Sequence, residues 1–159
     1  MLGTSLTVVS VALGATRPVE ARGVQVTVPD NWLRVASAGD GAVTDPRTLL
    51  VVGTAGVRAR PTQCQIAAYR VPATGAVVVI VGWRTATSGG GNLQPGRWPL
   101  KALTSVKRPS FVCYAGRGAS ASLVLGGKAY QVNVMVGDKA SREQVATALA
   151  VARSLRLAP

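Results

Sequence analysis

Cys64 and Cys113 are the only thiols in a chain that contains no histidine. Imidazole is the one side chain that titrates near neutral pH without tuning, and it is the commonest general base and metal ligand. Without it no Ser-His-Asp relay can be drawn, and two cysteines supply too few soft ligands for a zinc site. The two thiols are 49 residues apart in the sequence, far beyond a local redox or metal motif. Each falls in an extended run, Cys64 with Ile66 and Ala68, Cys113 with Phe111 and Tyr114. Two readings follow. They form a disulfide, which for a loop of this length stabilises by about 4 kcal/mol in the chain-entropy model, or they are two buried thiols packed as small hydrophobes. Gly89-Gly90-Gly91 and Gly116-Arg117-Gly118 lack the Gly-Lys-Ser/Thr ending of a phosphate loop and read as a surface loop and a turn. No two of the acids are spaced to share general acid–base work. The chain is therefore expected to be non-enzymatic, with neither cofactor nor metal.

Binding is better supported than catalysis. There are 18 Lys and Arg against 6 Asp and Glu. Between Pro46 and Gly137 no acid occurs, so the segment 46–137 carries eleven cations unopposed. A field of one sign attracts polyanions over a Debye length of about 8 Å in physiological salt. Within that segment Arg84, Arg97, Lys101, Lys107 and Arg108, with Trp83 and Trp98 among them, make the candidate anion-binding surface. Such a mix of cations and indoles holds phosphates or stacks on bases and sugars. The plainer reading is two Trp rings over the core with Arg stems lying along them. The cations are spaced singly, without the dense runs that mark nucleic-acid arms.

The elements that must position these residues are clearest in the last third of the chain. Alternation over 119–125 and 130–136, interrupted by Gly126-Gly127, predicts a β-hairpin, because hairpin turns need positive φ at both central residues. Ser141 with Gln144 three residues on is a capping box that starts a helix over 141–156. Val145, Ala148, Leu149, Ala152 and Leu155 form one apolar stripe on it. A lone striped helix needs a sheet face to cover it. Upstream, Val24, Val26 and Val28 alternate as a short strand stopped by Pro29-Asp30-Asn31. Asp45-Pro46 is placed to start a helical turn. Leu49–Val52 and Cys64–Val71 read as strands, and Ala76–Val81 as a central strand covered on both faces.

With 159 residues, 48% of them apolar, the chain is expected to form a single α+β domain over 22–159. Its sheet is expected to be mostly antiparallel, of about six to eight strands. Residues 1–21 are a candidate signal peptide or N-terminal extension, with an uncharged apolar run too short to span a bilayer and possible cleavage after Gly14 or after Ala21. Alternatively the first segment is a strand or helix of its own, or the remnant of a longer anchor.

The strand Val24–Val28, the turn Pro29-Asp30-Asn31-Trp32, the strand Tyr130–Val136 and the closing Ala148–Leu157 together resemble the Mog1/PsbP-like class and the small uncharacterised actinobacterial envelope proteins similar to it. The resemblance covers the two ends of the chain and leaves the middle unmatched. It implies a sandwich around an antiparallel sheet, used as a non-catalytic binding or accessory module, and carries over no site residues. The expected function is thus a secreted or envelope accessory module without a transmembrane span. It would contact a partner protein or an anionic envelope polymer. The alternative is a nucleic-acid-binding, cytoplasmic protein using segment 46–137.

Overall fold

The centre of the fold is β7 (Ala76–Gly82), whose seven residues are all buried. A computed structural model of the chain describes residues 14–38, 45–60, 64–85, 94–95, 103–108 and 114–159. β7 lies between β4 (Arg47–Gly53) and β10 (Lys128–Val136), antiparallel to both. Its β-branched side chains feed two separate cores: Val78 and Ile80 point into one, Val77, Val79 and Val81 into the other. A strand packed on both faces needs no polar alternation, which is why its sequence is a continuous apolar run.

β9 (Arg117–Leu125) continues the sheet beyond β10, and β3 (Leu33–Arg34) borders β4. These five strands are antiparallel, and the two-residue β8 (Gln94–Pro95) adds a parallel edge to β9. The hairpin β9–β10 turns on Gly126-Gly127, at φ of 53° and 75°, as its Gly-Gly link requires.

The expectation of one sheet of six to eight strands is corrected: the architecture is α+β and mostly antiparallel, but the strands divide among sheets of six, three and two. The three-stranded sheet contains β1 (Thr16–Ala21), β2 (Val24–Pro29) and β11 (Arg156–Leu157) in that order. The Pro29–Trp32 turn separates it from the main sheet, since after that turn the chain re-enters at the edge as β3 rather than continuing beside β2. The small sheet instead buries Val19, Ala21, Val24, Val26 and Val28 against Leu50, Val52 and the helix. The smallest sheet pairs β5 (Arg58–Ala59) with β6 (Tyr69–Arg70).

The helix α1 (Arg142–Arg153) covers the same face of the main sheet. Ser141 caps it as expected, its Oγ accepting the Gln144 N–H at 3.0 Å. The side-chain nitrogen Nε2 of Gln144 is buried without a hydrogen-bond partner. The helix stops three residues before its expected end. The Ser154 hydroxyl donates to the Val151 carbonyl at 2.6 Å and accepts the Thr27 N–H at 2.8 Å, drawing the chain out of the helix and into β11. Ala148, Leu149, Ala152 and Leu155 are buried as the stripe requires, Val145 is half-buried, and Val151 joins them. A Leu side chain buried in this way contributes about 1.5–3 kcal/mol.

Two local expectations also change, and the first segment contains the strand that one of its readings allowed. Cys64–Val71 is a 3-10 turn over Gln65–Ala67 followed by the short β6, not one strand. Asp45-Pro46 starts no helix; the Asp45 carboxylate accepts the Arg84 N–H at 3.1 Å and β4 begins directly at Arg47. Thr16–Ala21, within the stretch expected as a leader or extension, is β1, with Val19 and Ala21 in the core.

Candidate functional site

Three adjacent strands of the main sheet end together at one pole. Arg47 on β4 pairs with Gly82 on β7, and Gly82 pairs with Tyr130 on β10. The Trp83 N–H continues the ladder to the Ala129 carbonyl at 2.9 Å. The β1–β2 turn, Arg22 at φ 49° and Gly23 at φ 80°, reaches the same pole, where the Arg22 guanidinium donates to the Thr48 carbonyl at 2.7 Å. The Arg84 backbone is fixed beside it through Asp45.

The result is a pocket of about 160 Å³ lined by Arg22, Asp45, Arg47, Leu49, Gly82, Trp83, Arg84, Lys128 and Tyr130. Four of these side chains are cations and one is a carboxylate. Its floor depends on a missing side chain. A Cβ on Gly82 would lie 2.5 Å from Leu49 Cδ1 and in ordinary contact with Tyr130 Cδ1 at 3.4 Å, so glycine lets the Leu49 side chain lie where it does over the strand. Burial pushes the Tyr130 phenol above its ordinary value of 10.0, which keeps it a neutral O–H donor. Arg22, Arg47, Arg84 and Lys128 are exposed residues at the mouth. Chemically, the pocket can hold an anion.

The candidate surface read from the sequence is only partly assembled here. Arg84 and Trp83 line the pocket. Lys107 and Arg108 sit at the opposite pole. Lys107 exchanges backbone hydrogen bonds with Gly118 at 2.8 and 3.0 Å, and Arg108 forms an exposed ion pair with Asp138 just beyond the far end of β10. The six residue-to-residue steps from Tyr130 to Val136 put about 20 Å of strand between the two poles. The same ion pair borders Tyr114, whose phenol is raised by burial first and by Asp138 second, with Arg108 and Arg60 opposing. Arg97, Trp98, Lys101 and Cys113 lie outside the described residues. Cys64 is half-buried at the start of the 3-10 turn.

Sequence reasoning missed Arg22 and Tyr130, and did not single out Arg47 and Lys128 from the other cations. A signal was present. Arg22 precedes Gly23, Arg47 follows Pro46, Arg84 follows the Val-rich strand, and Lys128 follows Gly126-Gly127. Each cation is beside a strand terminus, and antiparallel connections bring alternate termini to the same pole.

A second, larger concavity of about 800 Å³ lies between α1 and the open end of the β1–β2 hairpin, lined among others by Asp30, Asn31, Trp32, Glu143, Gln144 and Thr147. Among the described residues no Lys or Arg lines it. No family model, no curated protein and no solved structure matches this chain. Among the described residues no helix is long and apolar enough to cross a membrane.

Proposed function

We propose that this chain is a non-catalytic accessory module of a bacterial cell envelope that binds anionic groups of a partner protein or polymer. The observation that carries the reading is the convergence of Arg22, Arg47, Arg84 and Lys128 on one pocket whose lining, among the described residues, has Asp45 as its one carboxylate. Gathering like charges costs free energy that a bound anion recovers. The Mog1/PsbP-like affiliation belongs to the same proposal, supported by a helix packed on an antiparallel sheet. So does export: a Cys64–Cys113 disulfide suits an oxidising compartment, and Cys64 is not a free thiol. Of the two leader junctions, cleavage after Gly14 leaves β1 in place, whereas cleavage after Ala21 removes it.

The alternative, a nucleic-acid binder, calls for many cations along one continuous track. The separation of Arg84 from Lys107 and Arg108 weighs against it. Binding of long-chain polyphosphate and of single-stranded DNA to the purified protein, each measured over a series of salt concentrations, tests the choice. The anion-module reading expects polyphosphate binding that is lost in the Arg84→Glu/Lys128→Glu double variant. Tight DNA binding with a steep log–log salt slope, unaffected by that variant, favours the alternative.

A further inference from the structure

The pocket is small for what surrounds it. A volume of about 160 Å³ corresponds to roughly five waters at about 30 Å³ each. It falls below the ~300–1,000 Å³ of sites that enclose a whole drug-sized ligand. One tetrahedral oxyanion fits inside with its carrier reaching out through the mouth. Two aromatic side chains, Trp83 and Tyr130, form part of the wall and offer an apolar surface to whatever the oxyanion is attached to.

The charge of the lining decides which oxyanion. The cations approach from four separate places: the β1–β2 turn, the start of β4, the end of β7 and the start of β10. Among the described residues Asp45 is the one acid in the lining, and its Oδ1 already accepts the Arg84 N–H. In the same position a dianion gains twice the Coulomb attraction of a monoanion. A mid-chain phosphodiester carries one negative charge, whereas a terminal phosphate monoester carries about −1.5 to −2 at neutral pH, with a second pKa near 6. We propose that the pocket receives the terminal phosphate monoester of a sugar or polyol, and selects it over phosphodiesters. The inference rests on the anion-binding reading above and goes further by naming the charge state and the position of the group on its carrier.

The chain contains no histidine, so no imidazole changes charge across the pH range in which the monoester does. The charged and titratable groups facing the pocket are Arg22, Asp45, Arg47, Arg84, Lys128 and Tyr130.

The experiment is a calorimetric titration of the full chain with glycerol phosphate, dimethyl phosphate and inorganic sulfate, each at pH 7.5 and pH 5.5. The expected result is glycerol phosphate binding at pH 7.5 about tenfold or more tighter than dimethyl phosphate. That advantage shrinks severalfold at pH 5.5, while sulfate, a dianion at both pH values, is unchanged. Arg84→Glu and Lys128→Glu, both at exposed positions, are expected to abolish the difference. Equal affinity for monoester and diester, with both lost in the variants, overturns the monoester inference and leaves the anion pocket standing. A fall in sulfate affinity at pH 5.5 also overturns it, because the protein and not the ligand is then titrating. No binding of any of the three, or binding indifferent to the variants, overturns both readings.

Discussion

The two concave regions lie at opposite ends of the β1–β2 hairpin and are built on opposite terms. The groove beside α1 is about five times the volume of the pocket at the Arg22 turn, from 800 against 160 Å³. Among the described residues its lining contains two of the six acids in the chain and no cation, whereas the pocket gathers four cations around one acid. The groove is the larger space, yet the smaller one has the more restrictive chemistry. Cross-strand register brings its charges together, and the main-chain hydrogen bonds of β4, β7 and β10 hold the backbone beneath them. Volume alone would have pointed to the wrong end of the molecule for an anion.

The largest expected difference between the two ends is in stability. Trp32 forms part of the groove and is only 1% exposed. Replacing it with Ala removes a large core side chain and should cost about 3–5 kcal/mol in denaturant unfolding. Phosphate affinity of the protein that remains folded should be unchanged. A matching loss of affinity would show that the two ends are coupled and break the comparison.

Gly82→Ala acts at the other end. Its Cβ would meet Leu49 Cδ1 at 2.5 Å, so overpacking should cost about 1–3 kcal/mol and displace Leu49 from the pocket floor. Both unfolding and phosphate binding should change, in contrast with Trp32→Ala. Next in size come the charges. Arg84→Glu with Lys128→Glu should weaken phosphate binding about tenfold or more at low salt, with the melting temperature nearly unchanged because both residues are exposed. Asp30→Lys with Glu143→Lys, in the groove, should leave that affinity unaltered.

The smallest effect concerns pH. Because burial raises the Tyr130 phenol in the folded state, the unfolded chain loses its proton first as pH rises through the ordinary value of 10.0. The stability that the buried neutral phenol provides is therefore complete below that pH and falls as pH climbs above it. Tyr130→Phe should flatten this part of the alkaline unfolding profile. An unchanged profile would mean that the pocket floor is open to water.

How much of this was legible depended on whether a feature is local. The β9–β10 hairpin could be read because Gly126-Gly127 and the flanking alternation are contiguous. The helix start could be read because Ser141 reaches only to Gln144. The helix end was misread, because the apolar stripe runs on through Leu155 while the stop comes from Ser154 bonding to Thr27, a residue on a strand at the other end of the chain. The division into three sheets was hidden for a similar reason: nothing near Val24–Pro29 indicates that its second neighbour is Arg156–Leu157. The cationic middle segment was visible in composition, but its grouping was not. Arg84 looked like a companion of Lys107 and Arg108 from sequence proximity, while its neighbours in space, Arg22, Arg47 and Lys128, are distant in the chain and meet only through strand register.

The account stands most directly on where phosphate binds. Titrating isotope-labelled protein with inorganic phosphate and following backbone amides by NMR should shift Gly82, Arg84 and Ala129 together along one saturable curve, with Thr147 and Ser154 in the groove unmoved. Shifts centred on the groove or on Lys107 and Arg108, or no saturable shift at all, would contradict it.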